Sequence, residues 1–105
     1  MEAARVALTL LLEANELTSG MYVRLYGQHL IVGRKEPLGP GGELEKEDRV
    51  RLTRLNAWTY GLSVKRHTGR WERTPFSGSM HEMVQVIHTG MQHLVAHYPA
   101  VSQDF

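Results

Sequence analysis

Seven basic side chains cluster in the middle of this chain of 105 residues, and they are the groups best suited to bind an anionic ligand. Between positions 49 and 78 the only acidic residue is Glu72, so the charge balance of this stretch is +6. Trp58, Tyr60 and Trp71 are interleaved with the cations. Cations and aromatic rings on a sheet are what single-stranded nucleic acid requires of a binding surface. The candidate contacts are Arg49, Arg51, Arg54, Lys65, Arg66, Arg70 and Arg73.

The same pattern has a structural interpretation. Strands need polar residues at outward positions, and arginine serves well there, so the seven cations could form an ordinary solvated face. The flanking segments are acidic, with balances of −3 for residues 1–48 and −2 for residues 79–105, and the whole chain carries only +1. That total gives no general attraction to nucleic acid or to membranes.

Two histidines near the end of the chain have a spacing that suits a metal ion. His93 and His97 are four residues apart, so on one continuous helix they would share a face, as the histidine pair of a zinc site does. Glu82 is the one acidic residue on that predicted helix and is better explained as a helix cap. We therefore predict no metal and no cofactor, with this pair as the single candidate.

Catalytic groups do not assemble in the sequence. There is no cysteine, which excludes thiol catalysis and cysteine-bound metal. Ser77 and Ser79 lie near His81, but residues so close at a helix start do not form a triad. The glycine-rich stretch at 39–42 lacks the Lys-Ser/Thr of a phosphate-binding loop. We predict a protein that is not an enzyme.

The sequence also predicts a cytoplasmic protein with no membrane segment. The longest apolar run, Val6–Leu12, has seven residues, whereas about 20 are needed to span a bilayer. Glu13 follows that run in place of a small-residue cleavage site.

Hydrophobic periodicity predicts two amphipathic helices around five strands, a single α+β domain over residues 1–105 with the order α-β-β-β-β-β-α. The first helix covers Glu2 to Leu17 and has an unusually wide apolar arc, with Gly20 as its stop. The last helix begins at a Ser79–Glu82 capping box and runs to Tyr98, before Pro99. Residues 100–105 are expected to be a frayed tail.

The strands are predicted from alternation and turn residues. We expect a hairpin around Gly27-Gln28, a mobile loop over residues 36–48, and an antiparallel sheet completed by strands on both sides of His67–Gly69. A three-residue loop at His67–Gly69 would turn Trp71 toward the Lys65 face, and an even-length loop would turn it toward the core. Because burying tryptophan is favourable and burying unpaired Glu72 is costly, we expect Trp71 to be buried.

Two functions follow as hypotheses. The wide apolar arc of the first helix favours a small non-enzymatic interaction or regulatory module, a homodimer assembled through apolar helix surface, with a second copy or another protein as partner. The alternative is a single-stranded nucleic-acid-binding domain that uses the basic strands 49–73. The order of elements, strands followed by a C-terminal helix, resembles that of a known single-strand-binding fold, although the resemblance covers element order alone.

Overall fold

A computed structural model describes residues 1–97 and shows a five-stranded antiparallel sheet with helices at both ends of the chain, which confirms the α+β fold. Each strand pairs with the next along the chain, in the order β1-β2-β3-β4-β5. No helix in this part of the chain is long and apolar enough to cross a membrane. The elements are α1 (Glu2–Glu13), β1 (Tyr22–Tyr26), β2 (His29–Pro37), β3 (Leu44–Arg54), β4 (Tyr60–Lys65), β5 (Trp71–Gly78), α2 (Met80–Gly90) and α3 (Gln92–Val95).

The helices all pack against the same face of the sheet. Alternate apolar residues of the first four strands point into one cluster with side chains from α1, α2 and α3, so the hydrophobic core lies between the sheet and a single layer of helices. Two of the methionines on the last helices, Met83 and Met91, are core residues. The sheet residues of this cluster are Val23, Leu30, Val32, Val50, Leu52, Tyr60, Leu62 and Val64.

Helix α1 ends at Glu13, four residues earlier than predicted. The backbone N–H of Leu17 donates to the Asn15 side-chain oxygen at 2.9 Å, a local turn that competes with helix continuation. Gly20 does adopt a left-handed conformation, at φ 85°, but it lies beyond the helix and not at its C-cap. The Glu13 carboxylate accepts a hydrogen bond from the Gly20 N–H at 2.8 Å, which holds this turn against the helix end.

The capping box at the start of α2 is confirmed. The Glu82 N–H donates to the Ser79 hydroxyl at 3.1 Å, and the Ser79 N–H donates to the Glu82 carboxylate at 2.8 Å. The single long helix predicted up to Tyr98 is wrong, because α2 ends at Gly90 and Met91 leaves helical geometry before the short α3. Glycine is a poor helix former, which accounts for the break. Tyr98, Pro99 and the predicted tail 100–105 lie outside the described residues.

Short connections lie on both sides of β2. In the β1–β2 turn Gly27 has φ 59° while Gln28 has no positive φ, so the turn is of the predicted type II′ and not type I′. The predicted loop 36–48 is wrong, because β2 extends to Pro37 and β3 begins at Leu44, which leaves only residues 38–43 between them. Pairing along the backbone extended both strands through a segment whose composition suggested a loop.

The turn between β4 and β5 has the odd-length register, and the expectation that Trp71 is buried in the core is wrong. Trp71 pairs with Lys65, and Glu72 pairs with Val64. The loop of residues 67–69 is closed by the Arg66 N–H, which donates to the Arg70 carbonyl at 2.8 Å, and Gly69 has φ 87°. Glu72 points to the helix side of an edge strand but stays 54% exposed and pairs with Arg66. The free-energy cost of burying the Glu72 carboxylate, on which the prediction for Trp71 depended, is therefore absent.

Candidate nucleic-acid interface

The sheet face that points away from the helices carries one continuous row of side chains across all five strands. We call this side of the sheet the open face. The row is set by strand register, since its members are cross-strand neighbours and alternate with the core residues. From β1 to β5 the row is Arg24, Ile31, Arg51, Ser63 and Arg73, and the next row includes Tyr22, Asp48, Lys65 and Trp71.

The structure separates the seven predicted cations. Arg51, Lys65 and Arg73 lie together on the open face. Ser63 on β4 pairs with Arg51 on β3 and with Arg73 on β5, so the two arginines lie on either side of it. The remaining four lie elsewhere. Alternation along one strand puts neighbouring residues on opposite faces, so a run of basic residues in sequence is divided between the two sides of the sheet.

Arg49 belongs to the core side and is a structural residue, which corrects its assignment as a nucleic-acid contact. A bulge opposite Val32 and Gly33 turns Arg49 toward the helices together with its neighbour Val50. Its guanidinium donates to the carbonyls of Leu94 and Ala96, at 2.9 and 2.8 Å. These bonds fasten the end of α3 to the sheet.

Three other predicted contacts also lie off the open face. Arg54 pairs with Tyr60, a core residue, and its side chain approaches the sulfur of Met1 at 3.7 Å. Arg66 forms an exposed ion pair with Glu72 at 2.9 Å. Arg70 lies in the β4–β5 turn and is exposed. The candidate interface is therefore smaller than the sequence suggested.

Trp71 is the aromatic centre of the open face. The Arg51 guanidinium carbon lies 4.8 Å from the centre of the Trp71 ring, and the Lys65 ammonium nitrogen lies 6.0 Å from it. Both distances are within the range of cation–π attraction. Trp71 is only partly buried. The ring is therefore held in place by two cations while part of it stays accessible to a ligand.

Asp48 is an acidic group on the same face, and it compensates the positive charge of Arg24 on β1. It accepts hydrogen bonds from the Tyr22 hydroxyl and from Arg24 Nη2, both at 2.6 Å, and lies 4.0 Å from Lys65 Nζ. Burial acts to raise the pKa of Asp48, but the hydrogen bonds from Arg24 and Tyr22 outweigh it and hold that pKa below its ordinary value. Burial and the same carboxylate raise the pKa of Tyr22.

Arg51 and Arg73 have no such carboxylate. Within residues 1–97 neither forms an ion pair within 4.0 Å, and the buried Nε of Arg51 has no hydrogen-bond partner. Burial, and then the nearby positive charge of Arg73, lowers the pKa of Arg51. The two guanidinium groups are thus an uncompensated positive site on the open face.

Several residues of this face were missed at the sequence level. Arg24 continues the cationic row onto β1, and Tyr26 stacks on His29 with ring centres 6.5 Å apart. The alternation of Tyr22, Arg24 and Tyr26 with Val23 and Leu25 was the signal that could have identified them, because polar and aromatic residues occupy every second position.

Trp58, by contrast, is not part of the sheet. It is one of the three aromatic residues interleaved with the cations in the sequence, but it lies in the β3–β4 loop and is 83% exposed. Its backbone N–H donates to the Asn56 side-chain oxygen at 2.9 Å. Trp58 is therefore part of a turn, and β4 begins only at Tyr60.

The two candidate metal ligands are separated. Helix α3 ends at Val95, so His93 and His97 do not share a helix face. His97 lies 3.1 Å from the Glu36 carboxylate, and Arg34 lies 3.4 Å from its other ring nitrogen. Over residues 1–97 no group of three or more His, Cys, Asp or Glu side chains is placed to hold a metal ion.

A cleft of about 600 Å³ lies between the β2–β3 hairpin, the β4–β5 turn and α3. It is larger than a groove of about 220 Å³ that lies on the open face over β3, β4 and β5. Both signs of charge line it, with Lys46, Arg49, Lys65 and Arg66 against Glu45, Glu47 and Asp48. The three carboxylates offset most of this positive charge, so size alone does not favour the cleft as a site for a polyanion.

Comparison with known proteins gave no match: no family model, no curated protein and no solved structure matches this chain.

Proposed function

We propose that this chain is a non-enzymatic binding module and that its open face binds single-stranded nucleic acid. The observation that carries the proposal is the position of Trp71, an accessible indole held on a sheet surface by Arg51 and Lys65. Unpaired bases stack on such rings whatever their identity, while cations beside the ring attract the phosphates. Single-strand binding therefore needs the combination present here.

Charge supports the same conclusion. The open face carries Arg24, Arg51, Lys65 and Arg73 against Asp48, so it is cationic although the whole chain is nearly neutral. Asp48 is committed to Arg24 and Tyr22 on the β1 side, which concentrates the uncompensated charge near Trp71. A ligand with a phosphate beside a flat base matches that arrangement.

The test is a binding titration with a fluorescently labelled oligothymidine of 20 nucleotides, followed by anisotropy over a salt series. The affinity should fall as salt rises, with a slope of about −0.7 for each phosphate contact on a single strand. Arg51→Ala should weaken binding and make that slope shallower by about 0.7, the value for one phosphate contact on a single strand. Trp71→Ala should cost about 1–3 kcal/mol of binding free energy.

Matched controls make the result specific. Arg5→Ala removes the same charge from α1, on the helix side of the sheet, and should leave binding unchanged. Trp58→Ala removes the exposed indole outside the sheet and should have little effect. The proposal fails if the oligonucleotide does not bind at low salt, or if Arg5→Ala weakens binding as much as Arg51→Ala does.

A second candidate function, a homodimeric interaction or regulatory module, is favoured by one observation on α1. Leu8 and Leu12 are buried against the sheet, whereas Val6 is 45% and Leu10 is 67% exposed on the outer side of the same helix. Residues four apart are neighbours on a helix surface, so these two form an apolar stripe, which a two-fold related copy would cover with its own.

Sedimentation at low and high micromolar concentration tests this second function. A dimer should appear at the higher concentration, and Leu10→Glu should abolish it. Leu38→Glu, at an equally apolar exposed position between β2 and β3, is the control and should leave the dimer intact. A monomer at both concentrations contradicts the homodimer and leaves the nucleic-acid proposal unaffected.

A further inference from the structure

The open face has a groove lined by Arg51, the residue whose guanidinium contacts the Trp71 ring. It has a volume of about 220 Å³ and lies over the β3–β4–β5 part of the sheet. That is the space of about seven water molecules, which suits a phosphate group with part of a sugar. Arg51, Ser63 and Arg73 line its cationic part, and Leu55 and Phe76 line its apolar part.

An irregularity in strand pairing shapes this groove. Gly61 pairs with Ser77, but Ser63 pairs with Arg73, so β5 has two more residues than β4 over this stretch. The Thr74 hydroxyl donates to the Leu62 carbonyl at 2.8 Å and takes the place of a backbone partner. Such bulges redirect side chains at sheet edges. Here the bulge separates Arg73 from Phe76 and places both along the groove.

The cationic part of the groove is suited to one phosphate. Arg51 and Arg73 flank Ser63 on the two neighbouring strands and both line the groove, so their positive charges repel each other, and in the described part of the chain no carboxylate forms an ion pair with either. A phosphodiester between them would relieve the repulsion and accept charge-assisted hydrogen bonds from both guanidinium groups.

Aromatic rings lie on both sides of this positive site. Trp71 contacts the Arg51 guanidinium at 4.8 Å, and Phe76, which is 44% exposed, lines the groove beyond Arg73. Along β5 the order is therefore aromatic, cation, aromatic. A dinucleotide has the matching order of base, phosphate and base.

We propose that the groove is a two-nucleotide subsite, in which one internucleotide phosphate binds between Arg51 and Arg73 while the flanking bases stack on Trp71 and Phe76. This inference rests on the proposed nucleic-acid function and deepens it, because it assigns a register to the strand. The subsite tolerates any base, since stacking and phosphate contacts carry no sequence information.

The experiment is a nuclear magnetic resonance titration of the full chain with three ligands: thymidylyl-thymidine, its uncharged methylphosphonate analogue, and inorganic phosphate. The dinucleotide should shift the Nε–H signals of Arg51 and Arg73 and the indole N–H of Trp71. The uncharged analogue should bind at least tenfold more weakly. Inorganic phosphate should shift the two arginine signals without the indole and should bind more weakly than the dinucleotide.

Variants locate the second base. Phe76→Ala should weaken dinucleotide binding about fivefold or more, whereas Trp58→Ala, which removes an exposed ring from the β3–β4 loop outside the sheet, should not. Folding of each variant is checked by its amide spectrum. The subsite is refuted if the analogue binds as well as the dinucleotide, if phosphate alone binds as tightly, or if Phe76→Ala has no effect.

Failure of the subsite and failure of the proposed function can be told apart. If the 20-nucleotide strand binds in an Arg51- and Trp71-dependent way but the dinucleotide results are negative, the strand crosses the open face along another path and only the subsite is wrong. If the long strand does not bind at all, both are wrong.

Discussion

Arg51 and Trp71 lie on different strands, with β4 between them, yet the Arg51 guanidinium carbon is 4.8 Å from the centre of the Trp71 ring. The contact depends on the odd-length register of the β4–β5 turn, which brings Trp71 to the face of Lys65. With the opposite register the indole would enter the core and the open face would have no aromatic centre. One turn thus decides whether this sheet has a surface suited to stacked bases.

Removing the acidic group on the open face should strengthen oligonucleotide binding. Asp48→Asn takes away the negative charge and releases Arg24, now bound at 2.6 Å, to contact phosphate. The salt slope should become steeper by about 0.7, the value for one additional phosphate contact on a single strand. Tyr22→Phe removes a hydrogen bond to Asp48 without a change in charge and is the control; equal affinity of Asp48→Asn and wild type would contradict the prediction.

Arg49 should matter for stability. Its ion pair with Glu36 is buried, with 6% and 4% of the two side chains exposed, and it also binds the end of α3. Arg49→Ala should lower the free energy of unfolding by about 3–5 kcal/mol, because it removes an ion-pair partner of the buried Glu36 carboxylate. Urea unfolding measures the loss. Arg70→Ala, an exposed residue of the same type, should change stability by less than about 0.5 kcal/mol.

Two glycines should respond in opposite directions to alanine. At Gly33 an added Cβ would collide with the Tyr22 hydroxyl and the Glu47 carbonyl, so Gly33→Ala should destabilise by about 1–3 kcal/mol. At Gly90 nothing lies within 4 Å and the residue is helical, so Gly90→Ala should stabilise by about 0.5–1 kcal/mol. Thermal unfolding of both variants decides the matter, and a stable Gly33→Ala would refute the close packing of Tyr22.

His88 should make stability fall on mild acidification. Burial lowers its pKa below the ordinary 6.5. As the pH falls from about 7 through 6.5, the unfolded chain takes up the proton before the folded one does, so stability is lost until the folded pKa is passed. His88→Gln should reduce the loss measured by urea unfolding between pH 7.5 and pH 5.5. His81→Gln, at an exposed position, is the control, and an equal reduction in both would exclude His88 as the cause.

The hydrogen bonds of His88 also specify which ring nitrogen carries the proton. The Thr18 hydroxyl donates to the Leu12 carbonyl at 2.7 Å, so its oxygen must accept from His88 Nε2, at 2.9 Å. The neutral ring is therefore the Nε2–H form. This hydrogen bond connects α2 to the segment that follows α1. The two residues are 70 positions apart, so the sequence gives no sign of the contact.

Local features of the fold were predictable because short-range chemistry determines them. The Ser79–Glu82 capping box, the type II′ turn at Gly27 and the alternation in β3 and β4 each depend on residues within a few positions of one another. These features fix the kinds of element and their order. The extent of the elements was less accessible, since Asn15 shortens α1 and strand pairing lengthens β2.

The amino-acid sequence alone determined the α+β class, the order of the elements and the concentration of positive charge in residues 49–78. Only the tertiary structure decided which of those cations share a surface, because alternation and one bulge send Arg49 to the core and Arg51 to the open face. It also decided the position of Trp71. The observed register would bury Glu72 if β5 were a central strand, but at the sheet edge this carboxylate stays in water beside Arg66. The turn chemistry at Gly69 therefore prevailed.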